Sequence, residues 1–151
     1  MRIDLTDVSG CTCLAARRIA RQLTRAYDRA LETAALTVNQ FGLLAKLYGA
    51  SRGGRKAVPL GVLAARLGMH PTTLNRDLTA LRARKLVADA ADPDDKRVRG
   101  VTITAKGTAA LRAAIPLWRK AQARLERSLG TDAAPLRRAM AAAVAKLEQG
   151  A

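Results

Sequence analysis

Thr72, Thr73, Asn75 and Arg76 put two hydroxyls, an amide and a guanidinium into one short stretch of this chain. These are the groups that read base edges in a duplex. A guanidinium donates twice to guanine, an amide both donates to and accepts from adenine, and a hydroxyl serves either partner. To do so they must lie on the outer face of a helix whose other face is held. Leu74, Leu78 and Leu81 recur at i, i+4 and i+7 and supply the held side. Thr72, Arg76, Thr79 and Ala83 fall opposite them, with Thr73 and Asn75 flanking. The spacing predicts a helix over about residues 71–84. An ordinary solvated amphipathic helix would show the same pattern, so its neighbours must decide between the two readings.

Upstream, Leu60, Leu63, Ala64 and Leu67 follow helical spacing, with Pro59 at the start, where a missing N–H costs nothing, and Gly68 at the end. His70, just before Pro71, reads as a turn or N-cap residue rather than a ligand. Two short helices joined by a tight turn result. Downstream, Leu86, Val87 and Ala88 suit a strand, residues 89–97 form a polar, turn-rich segment, and residues 98–104 alternate Val101 and Ile103 against Thr102 and Thr104. This is a hairpin, and its tip carries Lys96 and Arg97, within reach of a phosphate or a minor groove. Ala57-Val58 is placed to add a minor strand to it. A winged helix-turn-helix is expected, in a fold that is mainly α with a small β-hairpin.

Other chemistries find few residues. One histidine allows no Ser/His/Asp set, no Gly-rich phosphate loop follows a strand, and the carboxylates at 92–95 share a turn with Pro93. No enzyme is expected. Cys11 and Cys13 are too few for a disulfide scaffold, and with the distant His70 they fall short of a structural zinc site. Neither a metal nor another cofactor is expected.

The chain has 151 residues, 49% of them hydrophobic, enough for one domain with a buried core. Aromatic residues make up only 3%, too few for a platform on which single-stranded bases stack. Lys and Arg number 27 against 12 Asp and Glu, a net charge of +15, which favours a polyanionic partner. The winged stretch contributes little of that excess. Charge therefore supports nucleic-acid binding in general, including by a non-specific basic chromosome-binding protein, and specific readout rests on the motif. The polar, acidic N-terminus is no signal peptide and no apolar run approaches the roughly 18 to 20 residues of a membrane span. A cytoplasmic location without membrane contact is expected.

Helices elsewhere must position this module. Residues 13–35 carry Ala16, Ile19, Leu23, Tyr27 and Leu31 on a wide apolar stripe, with most arginines off it. Thr37 is a candidate N-cap for a second helix whose buried side is Val38, Phe41, Leu44, Ala45 and Tyr48. Residues 49–56 form a loop whose cations are either phosphate contacts or simply solvated. Thr104 caps a long helix to about Leu129, where Pro116 should introduce a kink. Gly130 stops it, Thr131 or Asp132 caps the next, and Leu136, Met140, Val144 and Leu147 mark a final helix. A small DNA-binding core cannot hide all these apolar faces, and pairing the first and last helices with a second subunit is the economical solution.

Across residues 36–107 the chain resembles the MarR (multiple antibiotic resistance regulator) family of winged helix-turn-helix transcriptional regulators. The resemblance is carried by LTVNQFGLL at 36–44, LAARLGMHPTTLNRDLTALRARKLV at 63–87 and DPDDKRVRGVTITAKG at 92–107. It implies one domain over 1–151, with a winged module at 36–103 and a helical dimerisation region at 11–35 and 104–151. It further implies a homodimer on double-stranded DNA, usually a repressor relieved by a small molecule or an oxidant. By position, Thr72, Thr73, Asn75 and Arg76 match the family's DNA-facing residues, Arg97 matches its wing-tip arginine, and Asp95 is placed to brace it. Lys85 departs from the pattern, standing where relatives usually close the recognition helix with glycine.

The resemblance also places a small-molecule pocket between the dimerisation helices and the winged module, often for an aromatic or phenolic effector. Arg17 and Arg21 could meet a carboxylate there, or form part of a solvated face. Cys13 resembles by position the reactive cysteine of the branch that senses organic hydroperoxides, with Tyr27 as hydrogen-bond partner to its thiolate; Cys11 could serve as resolving thiol if the segment is flexible. That branch has a second tyrosine where Arg17 stands here, and Arg17 would instead favour the thiolate. The plainer alternative makes both cysteines small apolar residues at the start of a helix.

Overall fold

The computed structural model describes residues 10–54, 57–91 and 99–149. Its first helix, α1 (Thr12–Leu31), is exposed over its first turns and half-buried at Ile19, Leu23, Tyr27, Asp28 and Ala30 before Leu31 enters the core. It ends earlier than its apolar stripe suggests. The chain tightens into a 3-10 turn (Glu32–Ala34) and reverses at Ala35, whose φ of 51° is left-handed. The Ala35 N–H donates to the Glu32 carbonyl at 2.8 Å, satisfying an acceptor left over by the helix.

Thr37 opens α2 (Val38–Arg52) with a capping box, its hydroxyl accepting from the Gln40 N–H at 3.2 Å while the Gln40 side chain accepts from the Thr37 N–H at 3.3 Å. Leu44 is buried and Val38, Phe41 and Ala45 pack against the core as expected, but Leu43 and Leu47 are buried as well and Tyr48 is exposed. The reason is that α2 is packed by several elements at once, so no narrow stripe marks its inner side.

A short strand β1 (Val58–Pro59) leads into α3 (Leu60–Leu67), closed by left-handed Gly68, and then α4 (Pro71–Ala83). Strands β2 (Val87–Ala91) and β3 (Arg99–Ile103) complete an antiparallel sheet in the order β1-β3-β2. Val87 pairs with Ile103 and Val58 with Val101, so the minor strand joins the hairpin as expected. Leucines from α2, α3 and α4 meet Leu86, Val101 and Leu111 in one core.

Helix α5 (Ala105–Leu129) is continuous through Pro116. Its start is fixed to the end of α4: the Thr104 hydroxyl accepts from the Gly107 N–H at 2.9 Å and donates to the Lys85 carbonyl at 2.8 Å. A Cβ on Gly107 would lie 2.0 Å from the Leu86 carbonyl oxygen, which only glycine avoids. Phe41 of α2 and Trp118 of α5 stack with centroids 5.9 Å apart. Thr131 and Asp132 lie in a second 3-10 turn (Gly130–Asp132) before α6 (Ala133–Gln149), whose Met140, Val144 and Leu147 face solvent. No helix among the described residues is long and apolar enough to cross a membrane.

Candidate nucleic-acid interface

Leu74, Leu78 and Leu81 are 2%, 0% and 0% exposed, so α4 is clamped along one side. Thr72, Asn75 and Arg76 are exposed and Thr73 half-buried on the outer side, as the periodicity predicts. None of these four side chains hydrogen-bonds another described residue, which leaves their donors and acceptors for a ligand. Thr79, on the same face, is different: its hydroxyl donates to the Asn75 carbonyl at 2.8 Å and is spent on the helix itself. At the leading end His70 acts as N-cap, its Nδ1 accepting from the Thr72 N–H at 3.3 Å ahead of Pro71. Pro71 has no N–H and the Leu74 N–H bonds the His70 carbonyl at 3.1 Å, so in the first turn only the Thr73 N–H is left without a partner among the described residues, at the positive end of the helix dipole.

The trailing end is shaped by Lys85. With a φ of 60° it adopts the left-handed conformation that glycine would take, and the Leu86 N–H reaches back to the Leu81 carbonyl at 3.0 Å. The departure from the family pattern therefore leaves the helix end intact, at the cost of local strain. Arg82 donates to Asp89 Oδ1 from Nε at 3.0 Å and from a terminal nitrogen at 2.6 Å, tying α4 to β2. Asp95, Lys96 and Arg97 lie outside the described residues.

Three features of this module escaped sequence reasoning. Asp77, only 5% exposed, shares the leucine side of α4, and its Oδ2 has no hydrogen-bond partner among the described residues. Its position one turn before Leu81 was the available signal. The Arg82–Asp89 pair spans a helix end and a strand, and a third contact, from Arg84 to the turn after α1, spans 49 residues. Neither has a local sequence signature.

The other candidates are dispersed. Arg17 and Arg21 are exposed on α1. A groove of about 450 Å³ between α1 and α5 gathers Arg29, Lys120 and Arg124 over Ala26, Ala30 and Leu125, and does not include them. Cys11 is the half-buried N-cap of α1 and Cys13 is exposed, both as free thiols. Tyr27 lies 14 positions further on, about 21 Å along the helix, so one protomer does not bring it to Cys13. Its hydroxyl donates to Gln122 of α5 instead. Gln122 donates to Glu126 at 2.9 Å, and Arg137 of α6 donates to the same carboxylate at 2.5 Å. Burial, then the nearby Glu126 charge, raises the Tyr27 phenol, while the hydrogen bonds from Gln122 and Arg137 lower the Glu126 carboxyl. No group of three or more metal-ligating side chains occurs among the described residues.

A helix-turn-helix that offers unspent polar groups beside a three-stranded winged sheet defines a winged helix-turn-helix DNA-binding protein. Comparison with known proteins narrows this. No family model matches the chain. It is 41% identical to the M. tuberculosis transcriptional regulator MosR, whose crystal structure in complex with DNA aligns with a TM-score of 0.78 over 92% of this chain and 97% of that one. The transcriptional repressor CouR, bound to a 23-mer DNA duplex, shares the fold at 24% identity, with a TM-score of 0.73 over 96% of this chain and 99% of its own. An HTH-type transcriptional regulator of Bacillus subtilis, YhbI, is 27% identical over 134 residues, 89% of this chain and 84% of that protein. The chain belongs to the MarR family and is a DNA-binding transcriptional regulator, a non-enzymatic class.

Proposed function

We propose that the chain is a homodimeric repressor acting in the cytoplasm, which reads an inverted-repeat operator through Thr72, Thr73, Asn75 and Arg76 of each subunit and is released by a small effector. The observation that carries this reading is the division of α4 into a leucine side buried in the core and an outer side on which the Thr72, Thr73, Asn75 and Arg76 side chains make no hydrogen bond to another described residue. The winged module at 36–103 approaches the duplex, and the helices at 11–35 and 104–151 pair with the second subunit. In support, Leu14, Val144 and Leu147 are 55%, 54% and 74% exposed in a single chain, on the helices left over from the winged core. Arg97 enters the minor groove beside each half-site, braced by Asp95.

The effector is a small aromatic or phenolic acid. The cationic groove between α1 and α5 suits a carboxylate better than Arg17 and Arg21 do. CouR from Rhodococcus jostii, of the same fold, was solved bound to p-coumaroyl-CoA.

A second reading makes release oxidative. It is favoured by two free thiols at the start of α1, with Arg17 one turn beyond Cys13. An organic hydroperoxide would oxidise the Cys13 thiolate to a sulfenic acid and leave as the alcohol. The Cys11 thiol would then condense with it, releasing water. Titrating the protein with such a peroxide while following DNA binding separates the two, since a Cys13→Ser variant that releases DNA equally ends the oxidative reading.

The main reading is tested by Arg76→Ala. If Arg76 reads a guanine, its loss costs about 1 to 3 kcal/mol at the cognate site and much less on random duplex. Equal losses on both would reduce Arg76 to a phosphate contact.

A further inference from the structure

Arg84 is the C-cap of α4, yet its side chain leaves that helix and crosses to the turn after α1. Its guanidinium donates to the Ala35 carbonyl, and a second nitrogen reaches the Ala34 carbonyl at 3.5 Å. These are the carbonyls at the end of the 3-10 turn, where acceptors are left over and the helix dipole is negative. Ala35 is held left-handed at the same place, so the turn has one defined shape for the fork to grip. From the other side, the Asp28 carboxylate of α1 accepts from the Val38 N–H, the first of α2, at 2.7 Å. Asp28, Ala35, Leu36, Thr37 and Arg84 all line one shallow cleft of about 610 Å³ along this seam. The cleft itself is open to water, while Leu31 and Leu36 on either side of the turn are buried in the core, so the hydrogen bonds add a directional constraint to that packing.

We infer that Arg84 is a positioning residue that sets the spacing between half-sites, by fixing the recognition helix relative to α1. The inference rests on the homodimer reading, in which α1 belongs to the dimerising part. Over a lever of about 30 Å, the length of a 20-residue helix, a rotation of roughly 6° moves the reading groups by about one base-pair step of 3.4 Å. A fork on two carbonyls resists such a rotation, and a single flexible contact does not. Arg84 touches no base in this arrangement, since it is turned toward the turn after α1.

The test is selection of duplexes from a random library by the wild-type protein and by Arg84→Met, followed by affinity measurements on the selected site with its centre shortened or lengthened by one base pair. The wild type should bind the altered spacings at least about tenfold more weakly, and Arg84→Met should bind all three within about threefold while keeping the same base preference inside each half-site. Arg84→Lys, which keeps a cation but not the fork, should fall between them. A purely structural role would lower the melting temperature and leave spacing preference unchanged. Full retention of the tenfold preference in Arg84→Met, or in Arg84→Gln if the former does not fold, overturns the proposal alone. Selection of unpaired half-sites by the wild type overturns the homodimer reading and the proposal together.

Discussion

Lys85 holds a left-handed backbone that its Cβ disfavours, and it is exposed with no side-chain hydrogen bond or ion pair to another described residue. The strain is about 1 kcal/mol, and glycine would not incur it. Lys85→Gly should therefore raise stability by about that amount, read as a higher urea midpoint with an unchanged slope. An unchanged midpoint would mean that glycine's greater unfolded-state entropy cancels the gain. At this scale the placement of Thr72, Thr73, Asn75 and Arg76 on the outer side of α4 was legible because three leucines at helical spacing leave only one direction for the polar residues. Asp77 was not, because a carboxylate among leucines contradicts the rule that defined the face. Arg84 was not either, since its partners are carbonyls 49 and 50 positions away.

Among the elements, α1, α5 and α6 meet through a polar chain of Tyr27, Gln122, Glu126 and Arg137 beside a small apolar cavity of about 150 Å³. Two of its members, Glu126 and Tyr27, titrate in opposite ranges. Glu126 is lowered from its ordinary 4.5, so its contribution is complete above that value and is lost as pH falls through the folded one. Tyr27 is raised from its ordinary 10.0, so its contribution is complete below that value and is lost as pH rises through the folded one. Denaturation midpoints should accordingly fall at both extremes, with Glu126→Gln flattening the acid limb and Tyr27→Phe the alkaline limb. Loss of neither dependence would remove the chain as a stabilising link. Helix existence was readable throughout from period and caps, as Thr37, Gly68, Thr104 and Gly130 show. The broad burial of α2 was hidden because packing on many sides erases periodicity, and the early end of α1 depends on a left-handed alanine that propensity disfavours.

For the whole molecule, the winged half explains its own core, while Leu14 of α1 and Met140, Val144 and Leu147 of α6 remain exposed in one chain. A second copy that covers them makes Val144→Glu disruptive, because it buries a charge in the interface. Sedimentation should show a dimer for the wild type and a shift toward monomer for Val144→Glu, with helical content retained. A wild-type monomer would remove the homodimer. The net charge of +15 leaves one rival, a basic protein that coats any duplex. The most direct measurement is competition between a duplex selected from genomic fragments and a shuffled duplex of equal length, at one stated salt concentration. Readout by α4 predicts that the selected site is bound at least about 10³-fold more tightly. Equal affinity for the two duplexes would contradict sequence-specific regulation and leave only electrostatic binding.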